Sequence, residues 1–93
     1  MDRIGKKLVW DDWNKNHIKK HDVTISEVEE VFKTYTLQKQ SYAKRLELYG
    51  ETKSGRKLTI IVASTRFNKP YVVSARDMSS KERVYYELQT KAN

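Results

Sequence analysis

Residues 45–63, R-L-E-L-Y-G-E-T-K-S-G-R-K-L-T-I-I-V-A, decide the fold of this chain. From Lys44 the period is two: Leu46 and Leu48 alternate with Arg45, Glu47, Tyr49 and Glu51, as in a strand with one wet face. Leu58 to Thr65 is apolar on both faces, with Ile60 and Val62 on one and Ile61 and Ala63 on the other, which predicts a central strand. Between them Lys53-Ser54-Gly55-Arg56 is a turn, and Gly55 supplies the positive φ that a tight hairpin needs. So short a link permits only antiparallel pairing.

Further along, Arg66-Phe67-Asn68-Lys69 turns the chain again, and Pro70 opens the next strand, where it removes no ladder bond. Tyr71, Val72 and Val73 are the aromatic and β-branched types that suit a pleated surface. A helix follows: Ser79 and Glu82 form an S-x-x-E capping box, and the helix is expected to run to about Gln89.

On the amino-terminal side, Thr24 and Glu27 make a second capping box, and Val23 and Val28 a hydrophobic staple. Ile25, Val28, Val31 and Phe32 form the apolar stripe of that helix, with Glu27, Glu29, Glu30 and Lys33 facing out. Before it, Trp13, His17 and His21 recur one turn apart on a short amphipathic helix capped by Asp11 or Asp12. Leu8-Val9-Trp10 is predicted as a first strand, while Tyr35 to Tyr42 reads equally as loop or edge strand. The order is β-α-α, then an antiparallel meander of three to four strands, then a C-terminal α-helix. That is an α+β, two-layer domain with helices packed on one sheet face.

A chain of 93 residues makes one domain, residues 1–93, burying roughly 60–65% of its unfolded surface. With 38% hydrophobic and 33% charged residues it is expected to be soluble and globular rather than disordered. The absence of cysteine excludes a disulfide framework and a thiolate zinc site, and suits a reducing cytoplasm. The longest apolar run, Ile60–Ala63, is too short for a membrane span, and M-D-R-I-G-K-K lacks the apolar stretch of a secretory signal. Residues 1–33 carry seven basic and seven acidic side chains, so the net charge of +7 belongs to residues 34–93. A basic half beside a neutral half fits a polyanion-facing surface, and equally a charge that serves solubility.

Arg76 sits where the Tyr71 strand hands over to the last helix, with Arg83, Tyr85 and Tyr86 following. Guanidiniums and phenols gathered there make a seat for a phosphodiester. The bland alternative is a strand-end arginine paired with Asp77 or Glu87. Lys81 and Arg83 add cations near the helix start, whose dipole also favours anions, although Arg83 also has a pairing partner in Glu87. Of the two tyrosines, Tyr85 is the one expected in the core. His17 and His21 have chelating spacing, but Ile18-Lys19-Lys20 lacks the glutamate of the zinc-protease pattern. Sharing a face with Trp13, they are expected to be packed and hydrogen-bonded, and no metal or other cofactor is expected.

Three segments carry a family resemblance: Trp10–Phe32, with W-D-x-W-N and H-I-x-K-H-x-V-T-x-x-E-V-E-E-V-F; Tyr49–Thr52, Y-G-E-T; and Tyr71–Tyr86. In that order and spacing they resemble the BrnT family, ribonuclease toxins of bacterial type II toxin–antitoxin pairs with a RelE-like fold. Tyr71 stands where many members carry arginine, in R-I-I-S-A-R. The resemblance implies a cytoplasmic endoribonuclease, an RNA substrate, and a neighbouring ribbon-helix-helix antitoxin, with a dimer or toxin–antitoxin hetero-oligomer as the assembly.

Cleaving RNA without metal needs a base for the 2′-hydroxyl, an acid for the leaving 5′-oxygen, and cations for charge on phosphorus. Arg76 and Arg83 are the candidates for the last role, Glu51 for the base, and Tyr86 for proton donation or base stacking, with Glu82 a further catalytic candidate of no assigned role. Lys81, Arg45, Arg56, Lys57 and Arg66 are the candidate RNA-binding cations. Each carboxylate has a structural alternative: Glu82 is already a capping partner, and Glu51 suits a solvated strand face. The alternative function is a non-catalytic module whose basic sheet binds nucleic acid or protein.

Overall fold

A computed structural model describes residues 7–41, 43–63 and 70–91 of the chain. Its elements are helices α1 (Asp12–Lys19) and α2 (Ile25–Thr34), strands β1 (Leu37–Gln40), β2 (Arg45–Glu51), β3 (Lys57–Ala63) and β4 (Tyr71–Asp77), and helix α3 (Ser80–Lys91). The four strands form one sheet in the order β1-β2-β3-β4, each antiparallel to its neighbour. This small α+β domain therefore contains the expected meander, and the ambiguous stretch after Tyr35 is its edge strand. The turn at Arg66–Lys69 lies outside the described residues.

The two-residue period assigns the faces. Leu48, Leu58, Ile60, Val62, Val72 and Ala75 are buried on one face against Ile18, Val23, Val28, Val31 and Phe32 of the first two helices and their connection. Gly50 shares that face because α2 passes too close for a side chain: a Cβ there would lie 2.9 Å from Val31 Cγ1 and 3.3 Å from Tyr35 Cα. A register shift between Ile61 and Val62 inserts Val73 as a bulge, so Val62 and Val72 still pair on the inner face.

The opposite face carries the row Leu37, Tyr49, Thr59 and Arg76, and here α3 packs, with Tyr49, Met78 and Tyr86 buried in a second cluster. Helices thus cover both faces. The expectation of two layers fails because Tyr49 and Thr59, polar enough to read as wet, are 1% and 0% exposed beneath the last helix.

The predicted first strand is reduced to a single parallel bridge, Val9 to Tyr71, with Val9 N–H donating to Pro70 O at 2.8 Å. Asp11 ends it by capping α1, and Trp10 turns to donate its indole N–H to Glu29 at 2.8 Å, so Glu29 does not simply face out. Asn14 then fixes this segment along the free edge of β4. Wholly buried, it completes a capping box with Asp11, and its Nδ2 donates to Val9 O at 2.9 Å and Val72 O at 3.1 Å. The capping box of α2 forms as expected between Thr24 and Glu27, but Ile25, in the first turn, is 38% exposed instead of lining the stripe.

Trp13, His17 and His21 also depart from expectation. Trp13 is 56% exposed and stacks on His17 with ring centroids 4.7 Å apart, while His17 meets His21 edge-on at 5.6 Å. The rings pack on each other at the surface, because Asn14 and Ile18 take the buried side of α1.

Replacing Asn14 with alanine removes the side-chain half of the capping box and leaves the carbonyls of Val9 and Val72 without their Nδ2 donor. Such a loss costs about 2–4 kcal/mol, whereas Trp13→Ala on the exposed face costs under about 1 kcal/mol. Urea unfolding of the two variants should show that contrast.

Candidate functional site

The carboxylate of Glu82 is the hub of the outer face. As the third residue of α3 it caps the helix: Oε1 accepts from Ser79 N–H at 2.9 Å while Glu82 N–H donates to Ser79 Oγ at 3.2 Å. The same Oε1 accepts from Thr59 Oγ1 of β3 at 2.9 Å and from Arg76 Nη1 of β4 at 2.6 Å, and Oε2 accepts from Arg76 Nη2 at 2.9 Å. Arg76 and Glu82 therefore form a bidentate pair, both side chains partly shielded, at 32% and 17% exposure. The sequence supplied Asp77 and Glu87 as partners for Arg76; the helix start brings Glu82 instead.

This pairing governs the titration. The Arg76 guanidinium, followed by the Ser79 cap and the Thr59 hydroxyl, outweighs desolvation and holds the Glu82 carboxyl at about 2 instead of 4.5. Glu82 in turn raises Arg76. Next to them, burial first and then the adjacent Glu47, which accepts its hydroxyl proton, push the Tyr49 phenol well above 10.

Beside the pair opens a cleft of about 470 Å³, lined by Lys39, Glu47, Tyr49, Ser79, Lys81, Glu82 and Tyr85. Lys39, directly across the ladder from Glu47, holds its ammonium 5.6 Å from the Tyr85 ring centre, and Tyr85 meets Tyr49 edge-on at 5.9 Å. The walls therefore combine cations with an aromatic ring, and their floor carries carboxylates that are ionised at neutral pH or hydrogen-bonded to a phenol.

The other expected site residues do not all converge here. Lys81 and Glu82 line the cleft with Arg76 at its side, but Arg83 faces a separate hollow of about 300 Å³ with Gly55, Lys57 and Asp77. Lys57 is paired with Glu87 at 3.1 Å, and Arg83 adds a weaker charge attraction to the same carboxylate. Glu51 and Tyr86 pair with each other at 3.3 Å, and Tyr86 is the buried tyrosine whereas Tyr85 is half-buried, the reverse of expectation. Burial and Glu51 raise the Tyr86 phenol, which suits it poorly as a proton donor. Arg45 lies half-buried on the uncovered part of the same face, two residues along β2 from Glu47. Arg66 lies outside the described residues.

Arg56 is committed to structure. Its Nε and Nη2 grip Asp77 at 2.8 and 3.2 Å, Nη1 reaches Glu27 at 3.0 Å and Asp22 O at 2.7 Å, and Nη2 also reaches His21 O at 3.3 Å. All five N–H groups of the guanidinium are engaged. It clasps the hairpin to α2 and the end of β4 and has no donor left for a phosphate.

Tyr71 is far from the cleft as well. Its hydroxyl lies 3.0 Å from both oxygens of Asp11, at the edge of the sheet. It stands five residues and a bulge along β4 from Arg76, roughly 16 Å at strand spacing. The cleft residues that reasoning from the sequence missed are Lys39, Glu47 and Tyr49, while Tyr85, counted among the phenols near Arg76 but assigned to the core, lines it too. For Glu47 and Tyr49 the signal existed, in the alternation that places them on one face with Arg45.

Among the described residues no three His, Cys, Asp or Glu side chains gather as a metal-holding group, and no helix is long and apolar enough to cross a membrane. Neither protein-family models nor curated proteins match the chain.

A carboxylate whose folded pKa is depressed stabilises the fold fully above its unfolded value and loses that contribution as pH falls. For Glu82 the window runs from 4.5 down to about 2, and the contribution is on the order of 2–3 kcal/mol. Glu82→Gln should therefore be less stable at pH 7 by about that amount and should converge on wild type at pH 2. Urea midpoints across this range test it; parallel curves would show that the carboxylate charge contributes nothing.

Proposed function

We propose that this protein is a metal-independent endoribonuclease of the BrnT kind, with a RelE-like layout, acting in the bacterial cytoplasm as the toxin of a toxin–antitoxin pair. The observation that carries the reading is the juxtaposition of Arg76 and Glu82 beside a cleft edged by Lys39, Lys81 and Tyr85. A phosphodiester presents two oxygens with the geometry that the Glu82 carboxylate now offers Arg76, so it competes for the same guanidinium fork. Displacing Glu82 removes the largest cause of its depressed pKa, and its proton affinity rises as substrate binds. The freed carboxylate accepts the 2′-hydroxyl proton. The 2′-oxygen then forms its bond to phosphorus as the P–O5′ bond breaks, leaving a 2′,3′-cyclic phosphate and a 5′-hydroxyl protonated from solvent in the open cleft. Arg76 stabilises the charge that builds on phosphorus, Lys39 and Lys81 hold flanking phosphates, and Tyr85 stacks a base. The expected partner is a ribbon-helix-helix antitoxin.

A second reading, a module that binds RNA or protein without cutting, draws support from the mutual saturation of Arg76 and Glu82. Labelled RNA incubated with pure protein in EDTA separates the two. Cyclic phosphate ends are expected, and clean retention without cleavage would favour the binding module.

The variants sharpen the test. Arg76→Ala should lower cleavage by about 10²–10³. Glu82→Gln, which removes both the base and the competitor for Arg76, should abolish cleavage to a similar degree while tightening RNA binding by about tenfold. A Glu82→Gln protein that binds RNA more weakly than wild type would sink the exchange.

A further inference from the structure

Helix α3 has a second side, which meets the cleft only at Lys81. Of its twelve residues only Tyr86 is buried, and opposite Tyr86 the helix presents the stripe Lys81, Val84, Leu88 and Lys91. The spacing of three, four and three residues keeps these four side chains in line along one face. Val84 and Leu88 are 58% and 66% exposed, the two most exposed large hydrophobics among the described residues, and they border a shallow hollow of about 420 Å³ shared with Glu87 and Lys91. Glu87 offsets Lys91 only in part, because Lys57 is the cation that holds its carboxylate, at 3.1 Å.

We propose that this stripe is a docking surface for an acidic amphipathic helix of another protein. The occupant must bury an aliphatic pair one turn long and bring carboxylates to Lys81 and Lys91. A second copy of the chain fails on charge. In an antiparallel α3 pair Lys81 meets Lys91 of the partner, and in a parallel pair each lysine meets its own counterpart. A helix with apolar residues at i and i+4, and Asp or Glu three residues outside each, satisfies both requirements in either direction. The aliphatic pair and Lys91 lie apart from the cleft of the RNA reading, whereas Lys81 stands on the border and edges both.

The probe is a blocked synthetic helix with leucines at i and i+4 and glutamates three residues outside them, compared with a twin carrying lysines in place of the glutamates. Fluorescence anisotropy should show the glutamate peptide binding the full-length protein and the twin not binding. Affinity should fall at least about tenfold in the double variant Val84→Ser, Leu88→Ser, and by a similar factor between low and about 0.5 M salt. Both substituted side chains are exposed, so circular dichroism and melting should match wild type, and RNA retention should be unchanged. The proposal is overturned by equal binding of the two peptides, by no binding of the glutamate peptide, by unchanged affinity in the double variant, or by a wild-type dimer that the double variant abolishes.

Discussion

The two-residue period of the meander is the constraint on which the other features hang. Leu46, Leu48 and Gly50 must project to one side if Arg45, Glu47, Tyr49 and Glu51 project to the other, and pairing propagates that division across β3 and β4. The inner face fills with aliphatic side chains and is closed by α1 and α2, where the Gly50 approach leaves no room for a Cβ. The outer face inherits polar side chains in register: Tyr49, Thr59 and Arg76 stand side by side. A helix laid over such a row must satisfy the Thr59 hydroxyl and a guanidinium, and α3 does so with one carboxylate, while Tyr49 bonds Glu47 of its own strand. The cleft opens where the neighbouring pair, Lys39 and Glu47, is left uncovered by a twelve-residue helix.

Stability and access to the Arg76 guanidinium are consequently governed by the same atoms on the outer face. Glu82 is helix cap, counterion and acceptor for a buried threonine at once. Any ligand that takes Arg76 loosens the first turn of α3, so binding there is linked to the helix that frames the site. The basic half of the sequence is likewise divided. Arg56, Lys57 and Arg76 are all held in ion pairs, and the cations that edge the cleft are Lys39 and Lys81.

Features fixed by neighbouring residues were legible from the sequence. The boxes Thr24–Glu27 and Ser79–Glu82, the Gly55 turn and the strand alternation all depend on residues at most a few positions apart. Features that need a remote partner were not. Arg56 reads as a turn cation until residues 21–35 positions away enclose it. Tyr85 and Tyr86 occupy adjacent angles on a helix, and which one is buried depends on the side from which α3 meets the sheet. The first strand dissolved because Asp11 and Asn14 prefer to cap a helix and fasten an edge, a choice made by the carbonyls of Val9 and Val72. For the site, Arg76 and Glu82 were each singled out on their own, but their union across a β-α junction was not.

The Arg56 clasp has a kinetic corollary. Its contacts join the β2–β3 turn to the loop after α1, to α2 and to the end of β4, all distant in sequence. The complete set cannot form until α2 and β4 have both docked against the turn, so closure entropy defers the finished clasp to late in folding. Interactions made after the transition state slow escape from the native basin without hastening entry to it. Arg56 is thus a lock on the finished domain: it sets how long the native state lasts rather than how fast it is reached.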